Sequence, residues 1–325
     1  MIELDKTTIQ GLFDMSAGLV ASRMAYIAQA EGRVQSPPVT WLEFPQANGE
    51  AHVKSGHIAG TKGFVVKIAT GFYDNAQRGQ PSSNGMSLLF STQTGQPLAL
   101  LKDEGWLTDM RTGLGGALAT HALARSGYSN VLIVGAGLQS QHQVRCLQHL
   151  AGERPLSFQI WARDINRGEA AAKSLREDGL DVEAVSDLQT AVARADAIIT
   201  ITPAKAPLIQ ADWVRPGTHI TAIGADSPGK QELSADLVAQ ADLLVCDLAE
   251  QSLHEGEFQT AFASGKIKGD SLVALGHVLS NAHPGRPNNQ AITIADLTGL
   301  AAQDAAVALT ALSIMQPDTE LTEAP

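Results

Sequence analysis

Asn130-Val131-Leu132-Ile133-Val134-Gly135-Ala136-Gly137-Leu138-Gln139-Ser140 carries an apolar strand straight into glycines. Gly135 lets the chain reverse tightly where the strand ends, and Gly137 removes a side chain where a pyrophosphate would meet the backbone. The segment 138–150 has helix-forming character, so its free N–H groups and its dipole would face the phosphates. The third glycine of the fingerprint is replaced by Ser140, so the turn takes its weight from its surroundings. A second strand, Ser157-Phe158-Gln159-Ile160-Trp161-Ala162-Arg163-Asp164, ends in an acid. Asp164 lies roughly two dozen residues past the turn, where a ribose hydroxyl is commonly gripped. That acid favours NAD, while Arg163 beside it would accept the 2′-phosphate of NADP; NAD is the expected cofactor. An ordinary strand-to-helix turn without a nucleotide is the alternative.

The chain has 325 residues, enough for two domains, and 44% hydrophobic with 18% charged residues is the composition of a folded globular protein. A formal charge of −11 opposes nucleic-acid binding, and no basic run or aromatic platform offsets it. Cys146 and Cys246, each in apolar sequence, read as small buried hydrophobes of a reducing compartment. Met1-Ile2-Glu3-Leu4-Asp5-Lys6 lacks the pattern of a signal peptide. No run reaches the ~18 apolar residues that span a bilayer. A cytoplasmic protein without membrane or nucleic-acid partners is expected.

From residue 130 to about 300, strands alternate with helices. Strands are expected at 131–134, 158–162, 182–185, 197–201, 218–223, 243–246 and 291–294, with Ala-rich helices such as 169–176 and 188–195 between them. Short apolar strands separated by helices predict an α/β fold with a doubly wound parallel sheet covered on both faces, which collects ligands at the carboxyl ends of its strands. The first 128 residues read as helices at 7–13 and 17–30, then strands at 39–44, 51–58 and 64–70. A hairpin of 87–90 and 98–101 follows, turning at Thr94-Gly95-Gln96. These predict a mixed α+β domain with a mostly antiparallel sheet. A helix over 107–124 leads into the nucleotide unit, an apolar closing helix over 300–315 packs back on the first domain, and the acidic tail 316–325 frays. The expected domains are 1–120, completed by 300–325, and 121–299.

Several side chains stand out chemically. Lys67 interrupts the apolar strand Phe64-Val65-Val66-Lys67-Ile68-Ala69, and a buried charge needs a partner or a ligand. Lys54 sits on a neighbouring strand, where a routine solvent-facing lysine is the favoured reading; for Lys67 a solvent-facing edge strand is the alternative. Arg111 lies in a helix crowded with small residues, where its fork suits a carboxylate; an internal bridge to Asp103 or Asp109 would also satisfy it. Asp226, after a strand and before Pro228-Gly229, could exchange a proton with a substrate nitrogen or merely shape its turn. Thr298, in Asp296-Leu297-Thr298-Gly299-Leu300, either contacts the nicotinamide end of a cofactor or caps the next helix. Thr112, Leu138, Gln139, Thr202 and Gly224 complete the candidate cofactor contacts. The nine histidines are scattered and read as structural, no Cys/His spacing suits a metal, and no G-x-S-x-G elbow supports a serine hydrolase.

Several stretches in order, Val66-Lys67, Leu107-Thr108-Asp109-Met110-Arg111-Thr112, Val134-Gly135-Ala136-Gly137-Leu138-Gln139, Gly224-Ala225-Asp226-Ser227-Pro228-Gly229-Lys230-Gln231-Glu232-Leu233, and Thr298-Gly299 with Gln303-Asp304, resemble the ornithine cyclodeaminase/mu-crystallin family of NAD(P)-dependent enzymes. The resemblance spans nearly the whole chain. It implies a Rossmann domain in the middle and a substrate and dimerisation domain built from both ends, hence a homodimer. It also implies that Lys67 and Arg111 hold a substrate carboxylate while Asp226 handles a proton. Ornithine cyclodeaminases usually carry an arginine near Thr40-Trp41-Leu42-Glu43-Phe44-Pro45; here there is none, and His52 and Lys54 follow instead. Gly71-Phe72-Tyr73-Asp74-Asn75 with Pro81-Ser82-Ser83-Asn84-Gly85 looks like the reductase-rich side of the family. The implied activity is reduction of a small imino acid, ketimine or iminosuccinate-like, to an L-amino acid, reversible as a dehydrogenase. A cyclodeaminase and a non-enzymatic, crystallin-like ligand-binding protein are the alternatives. If Lys54 also faces the substrate, a second carboxylate becomes plausible.

Overall fold

The computed structural model describes residues 1–315, so the tail expected to fray lies outside the described residues. The chain separates into two compact units, Met1–Arg111 with Leu300–Pro325, and Thr112–Gly299.

The first unit begins with β1 (Ile2–Asp5), α1 (Lys6–Leu12), α2 (Met15–Ala30), β2 (Val34–Gln35) and β3 (Thr40–Phe44). It continues through β4 (Gly49–Ile58), β5 (Gly63–Phe72), β6 (Ser83–Ser91) and β7 (Pro97–Lys102), and is completed by α11 (Ala301–Met315). Asp5 and Asp14 cap the two first helices, each accepting a first-turn backbone N–H. The sheet order is β1-β7-β6-β5-β4-β2, with β3 also on β4. It is antiparallel except for β1, which lies parallel to β7. Sequence reading misses β1, because four residues with one buried side chain, Leu4, carry almost no alternating pattern. The hairpin turns through Gly95 at φ +68, a left-handed conformation that glycine adopts without strain.

Alternation along β4 and β5 gives the sheet two unlike faces. One carries Ile58, Val65 and Leu89, all buried, with Lys67 and Ser87 next along it. Helix α11 lies against this face: a Cβ on Gly56 would come 2.8 Å from the Ala301 carbonyl oxygen. The other face exposes Leu42, Phe44, Ile68 and Met86.

Helix α3 (Trp106–Leu123) crosses the boundary. The division falls after Arg111, earlier than expected, because Gly113 and Gly116 bring the rest of α3 onto α4 (Leu138–Ala151). A Cβ on Gly113 would meet Cys146 and His142 at 3.0 Å.

The second unit alternates strands and helices: β8 (Asn130–Val134), β9 (Ser157–Trp161), α5 (Ile165–Glu177), β10 (Val182–Val185), α6 (Leu188–Arg194) and β11 (Ala197–Thr200). After β12 (Lys205–Ile209), β13 (His219–Ala222) and β14 (Gln231–Leu233) come α7 (Ala235–Gln240), β15 (Leu243–Cys246), α8 (Ala249–His254) and α9 (Gln259–Ala263). The unit closes with β16 (Leu272–Ala274), α10 (Leu275–Leu279) and β17 (Thr293–Asp296). Eight strands form one parallel sheet in the order β10-β9-β8-β11-β13-β17-β15-β16. Its strands bury Leu132, Ile198, Ile220 and Ile294, and the order reverses between β8 and β11, the doubly wound Rossmann arrangement. The last strand sits two residues later than expected, since its end is the charged but fully buried Asp296. A small sheet of β12 and β14 is also unanticipated. Among the described residues, no helix is long and apolar enough to cross a membrane.

Candidate active site

The glycine turn of the second unit fits a dinucleotide. Gly135 has φ +129, and a Cβ there would lie 2.8 Å from the Ile201 carbonyl oxygen, so β8 can leave the sheet only with glycine at this point. Gly137 caps α4 without a side-chain hydrogen bond, and no atom lies within 4 Å of where its Cβ would be. Open space thus faces the start of a 14-residue helix, a setting for phosphate. Ser140 replaces the third glycine at no structural cost: its buried hydroxyl donates to the Gly137 carbonyl at 2.6 Å. Leu138 is exposed beside the turn, and the Thr112 carbonyl accepts from Gln143 Nε2 at 3.0 Å. Asp164, beyond β9, caps α5 through Oδ1, which accepts from Asn166 N at 3.0 Å; Arg163 and Asp164 are both exposed.

Farther along the carboxyl edge of the sheet, Thr202 and Gly224 meet on Glu232, a fully buried acid not among the expected site residues. Its Oε1 accepts from Thr202 N and Thr202 Oγ1, each at 2.7 Å; its Oε2 accepts from Thr200 Oγ1 at 2.7 Å and Gly224 N at 2.9 Å. The signal in the sequence is slight: an acid between the polar Gln231 and the apolar Leu233, shortly after the Pro228-Gly229 turn. Glu257 in turn accepts the backbone N–H groups of Glu232 and Leu233, and Asp296 accepts that of Glu257. Burial pushes the Glu257 and Asp296 carboxyls well above their ordinary range. Thr298 does not cap the closing helix, which starts only at Ala301; its hydroxyl lies 2.9 Å from Asp247 Oδ1 and 3.0 Å from Gln251 Oε1. Asp226 is exposed and paired with Lys230, four residues on.

The first unit gathers cations. Lys67 and Arg111 are only 5% and 8% exposed, which overturns the edge-strand reading for Lys67. Lys67 Nζ lies 2.8 Å from Asp304 Oδ1 and 3.3 Å from Thr108 Oγ1; Arg111 Nε lies 3.1 Å from the same Asp304 oxygen. The bridge to Arg111 is therefore Asp304, on α11, and not Asp103 or Asp109. Asp103 instead accepts the Leu107 backbone N–H at the start of α3. The guanidinium edge of Arg111 has no partner among the described residues. Lys54 stands directly opposite Lys67 across β4 and β5, an arrangement of like charges that is unfavourable unless an anion joins it. Burial, with Arg111 and Lys54 nearby, lowers the Lys67 ammonium to about 8 against the pull of Asp304. Burial would push Asp304 up, yet Lys67, Arg111 and Lys54 together hold it below its ordinary value. Three cations thus converge around one directly bonded carboxylate. One step along the same face, opposite Ala69, the His52 ring lies tilted against Trp41 with centroids 3.8 Å apart.

Two histidines are plainly structural: burial lowers His142 to about 4 and His219 to about 3, the latter held between Thr221 and Thr293. Both cysteine thiols are buried and pushed up.

The ornithine cyclodeaminase/mu-crystallin family pattern matches residues 4–313. The chain belongs to that family. Alanine dehydrogenase of Archaeoglobus fulgidus is 35% identical over 310 residues, 94% of this chain and 92% of that one. Iminosuccinate reductase of Paracoccus denitrificans, solved in complex with NAD+, superposes with a TM-score of 0.88 at 30% identity, covering 98% of this chain and 97% of the other. Δ1-pyrroline-2-carboxylate reductase of Thermococcus litoralis, solved with NADH and L-proline, gives 0.89 at 26% identity, covering 98% of each.

Proposed function

We propose that this family member is an NAD-dependent oxidoreductase that reduces the C=N bond of a small imino acid to an L-amino acid, and runs in reverse as an amino-acid dehydrogenase. The observation that carries this reading is the sharing of one Asp304 oxygen by Lys67 and Arg111, with Lys54 opposite. Buried cations in excess of their internal anion call for an anionic ligand, and a planar guanidinium edge suits a carboxylate. Holding the carboxylate at Lys67 and Arg111 aligns the imine carbon for attack. Bound NADH supplies the hydride. Gly135, Gly137 and the first turn of α4 take the diphosphate, and Asp164 takes the adenosine ribose, which favours NAD over NADP. Asp226 relays a proton to the nitrogen once Lys230 releases it. The substrate panel is pyruvate or oxaloacetate with ammonium, and Δ1-pyrroline-2-carboxylate. Stoichiometric NADH oxidation is expected. Ammonia release from a diamino acid with NAD only catalytic would replace this reading by a cyclodeaminase, and binding without turnover by a ligand-binding role.

The Lys67 ammonium sets the expected pH dependence. It is charged below about 8 and neutral above, so kcat/KM should fall tenfold per pH unit on the alkaline side of about 8. A profile flat to pH 10 would remove Lys67 from the carboxylate clamp.

The exposed face bearing Leu42, Phe44, Ile68 and Met86 is apolar and contiguous, as in association surfaces. We infer that it pairs two chains. Sedimentation should give twice the chain mass of 34.2 kDa, and Ile68→Glu should return the monomer.

A further inference from the structure

The mechanism above leaves unused a buried acid of the second unit that accepts four hydrogen bonds. Glu232 is fully buried, and its four donors come from the two segments that end β11 and follow β13. The segments touch through it: a Cβ on Gly224 would fall 2.2 Å from the Thr202 carbonyl oxygen and 2.5 Å from Glu232 Oε2. We propose that Glu232 is a positioning residue that keeps a fixed negative charge beneath the carboxyl ends of β11 and β13, and that this charge favours the oxidised, cationic nicotinamide over its neutral, reduced form.

Two points support the charge. Each carboxylate oxygen receives one backbone N–H, from Thr202 or Gly224, and a proton on either oxygen would compete with a group that can only donate. Burial raises the Glu232 carboxyl above its ordinary value, and all four donors work against that rise. Burial likewise raises the neighbouring Glu257 and Asp296 carboxyls, well above their ordinary range. Two points support the target. The strand order reverses between β8 and β11, and a dinucleotide begun at the β8 turn carries its second half over the carboxyl ends of β11 and β13. In a low-dielectric interior a fixed charge acts through several ångströms, without contact. The effect would ease departure of the hydride, since the cofactor gains positive charge as it leaves. This inference rests on the nicotinamide-dependent reading above.

Affinities of the full-length protein for NAD+, NADH and ADP-ribose, measured by calorimetry in wild type, Glu232→Gln and Glu232→Asp, test it. Glu232→Gln should weaken NAD+ about tenfold more than NADH, while ADP-ribose, which lacks the pyridine ring, stays within about twofold of wild type. Glu232→Asp keeps the charge and should hold the NAD+ to NADH ratio within about twofold, even if both bind less tightly. Equal weakening of NAD+ and NADH in Glu232→Gln overturns the proposal. So does a tenfold change of ratio in Glu232→Asp, which decides alone if Glu232→Gln fails to fold. Failure of wild type to bind all three nucleotides refutes the nicotinamide reading itself, a separate result.

Discussion

Lys67→Met is expected to lower kcat/KM for the imino acid by about 10³, close to 4 kcal/mol of transition-state stabilisation. Lys67 Nζ, 2.8 Å from Asp304, is one of two buried cations that share that oxygen. Removing it takes a charge-assisted bond from the substrate carboxylate and leaves Arg111, the remaining directly bonded cation, with Lys54 nearby to neutralise Asp304. Because Arg111 remains, the buried carboxylate is not stranded, and unfolding should move by less than the roughly 3–5 kcal/mol of a fully broken buried pair. Thermal unfolding beside steady-state kinetics separates the two effects. Activity within tenfold of wild type, in a folded variant, would rule out Lys67 as part of the carboxylate clamp.

Gly135→Ala and Gly137→Ala should differ sharply, although the two glycines stand two positions apart. At Gly135, φ +129 and a Cβ position 2.8 Å from the Ile201 carbonyl oxygen mean that alanine strains the turn itself. The expected loss is about 1–3 kcal/mol of stability together with at least about a hundredfold weaker NADH binding. At Gly137, φ −81 and open space admit alanine without strain. Stability should change by less than about 1 kcal/mol, while NADH binding still weakens, because the methyl group occupies the approach of the diphosphate. Melting curves with and without NADH check both. Unchanged NADH affinity in Gly137→Ala would show that no phosphate passes over this turn.

Much of the architecture is legible from short-range pattern. The alternation of β4 and β5, the apolar strands of the parallel sheet and the glycine turn after Val134 all lie within windows of about ten residues, and each forms where the residues indicate. Misses occur where the signal is short or masked. Strand β1 has a single buried side chain, and β17 ends in a buried acid that reads as a strand-to-helix junction. The boundary inside α3 is hidden because a helix repeats in the same way on both sides of it.

Lys67 and Arg111 stand out in the sequence as charges in apolar or small-residue surroundings, and that oddity needs no structure to be seen. Their partner does: Asp304 is 237 residues from Lys67 and 193 from Arg111. The same holds for Glu232, whose donors Thr200 and Thr202 lie 32 and 30 residues away. Backbone geometry is settled by near neighbours along the chain, through steric limits and repeating hydrogen bonds, so strands, helices and the nucleotide turn are properties of the sequence itself. Which acid neutralises which buried cation depends on the segments that folding brings together, and no spacing rule along the chain encodes that, so only the tertiary structure decides it.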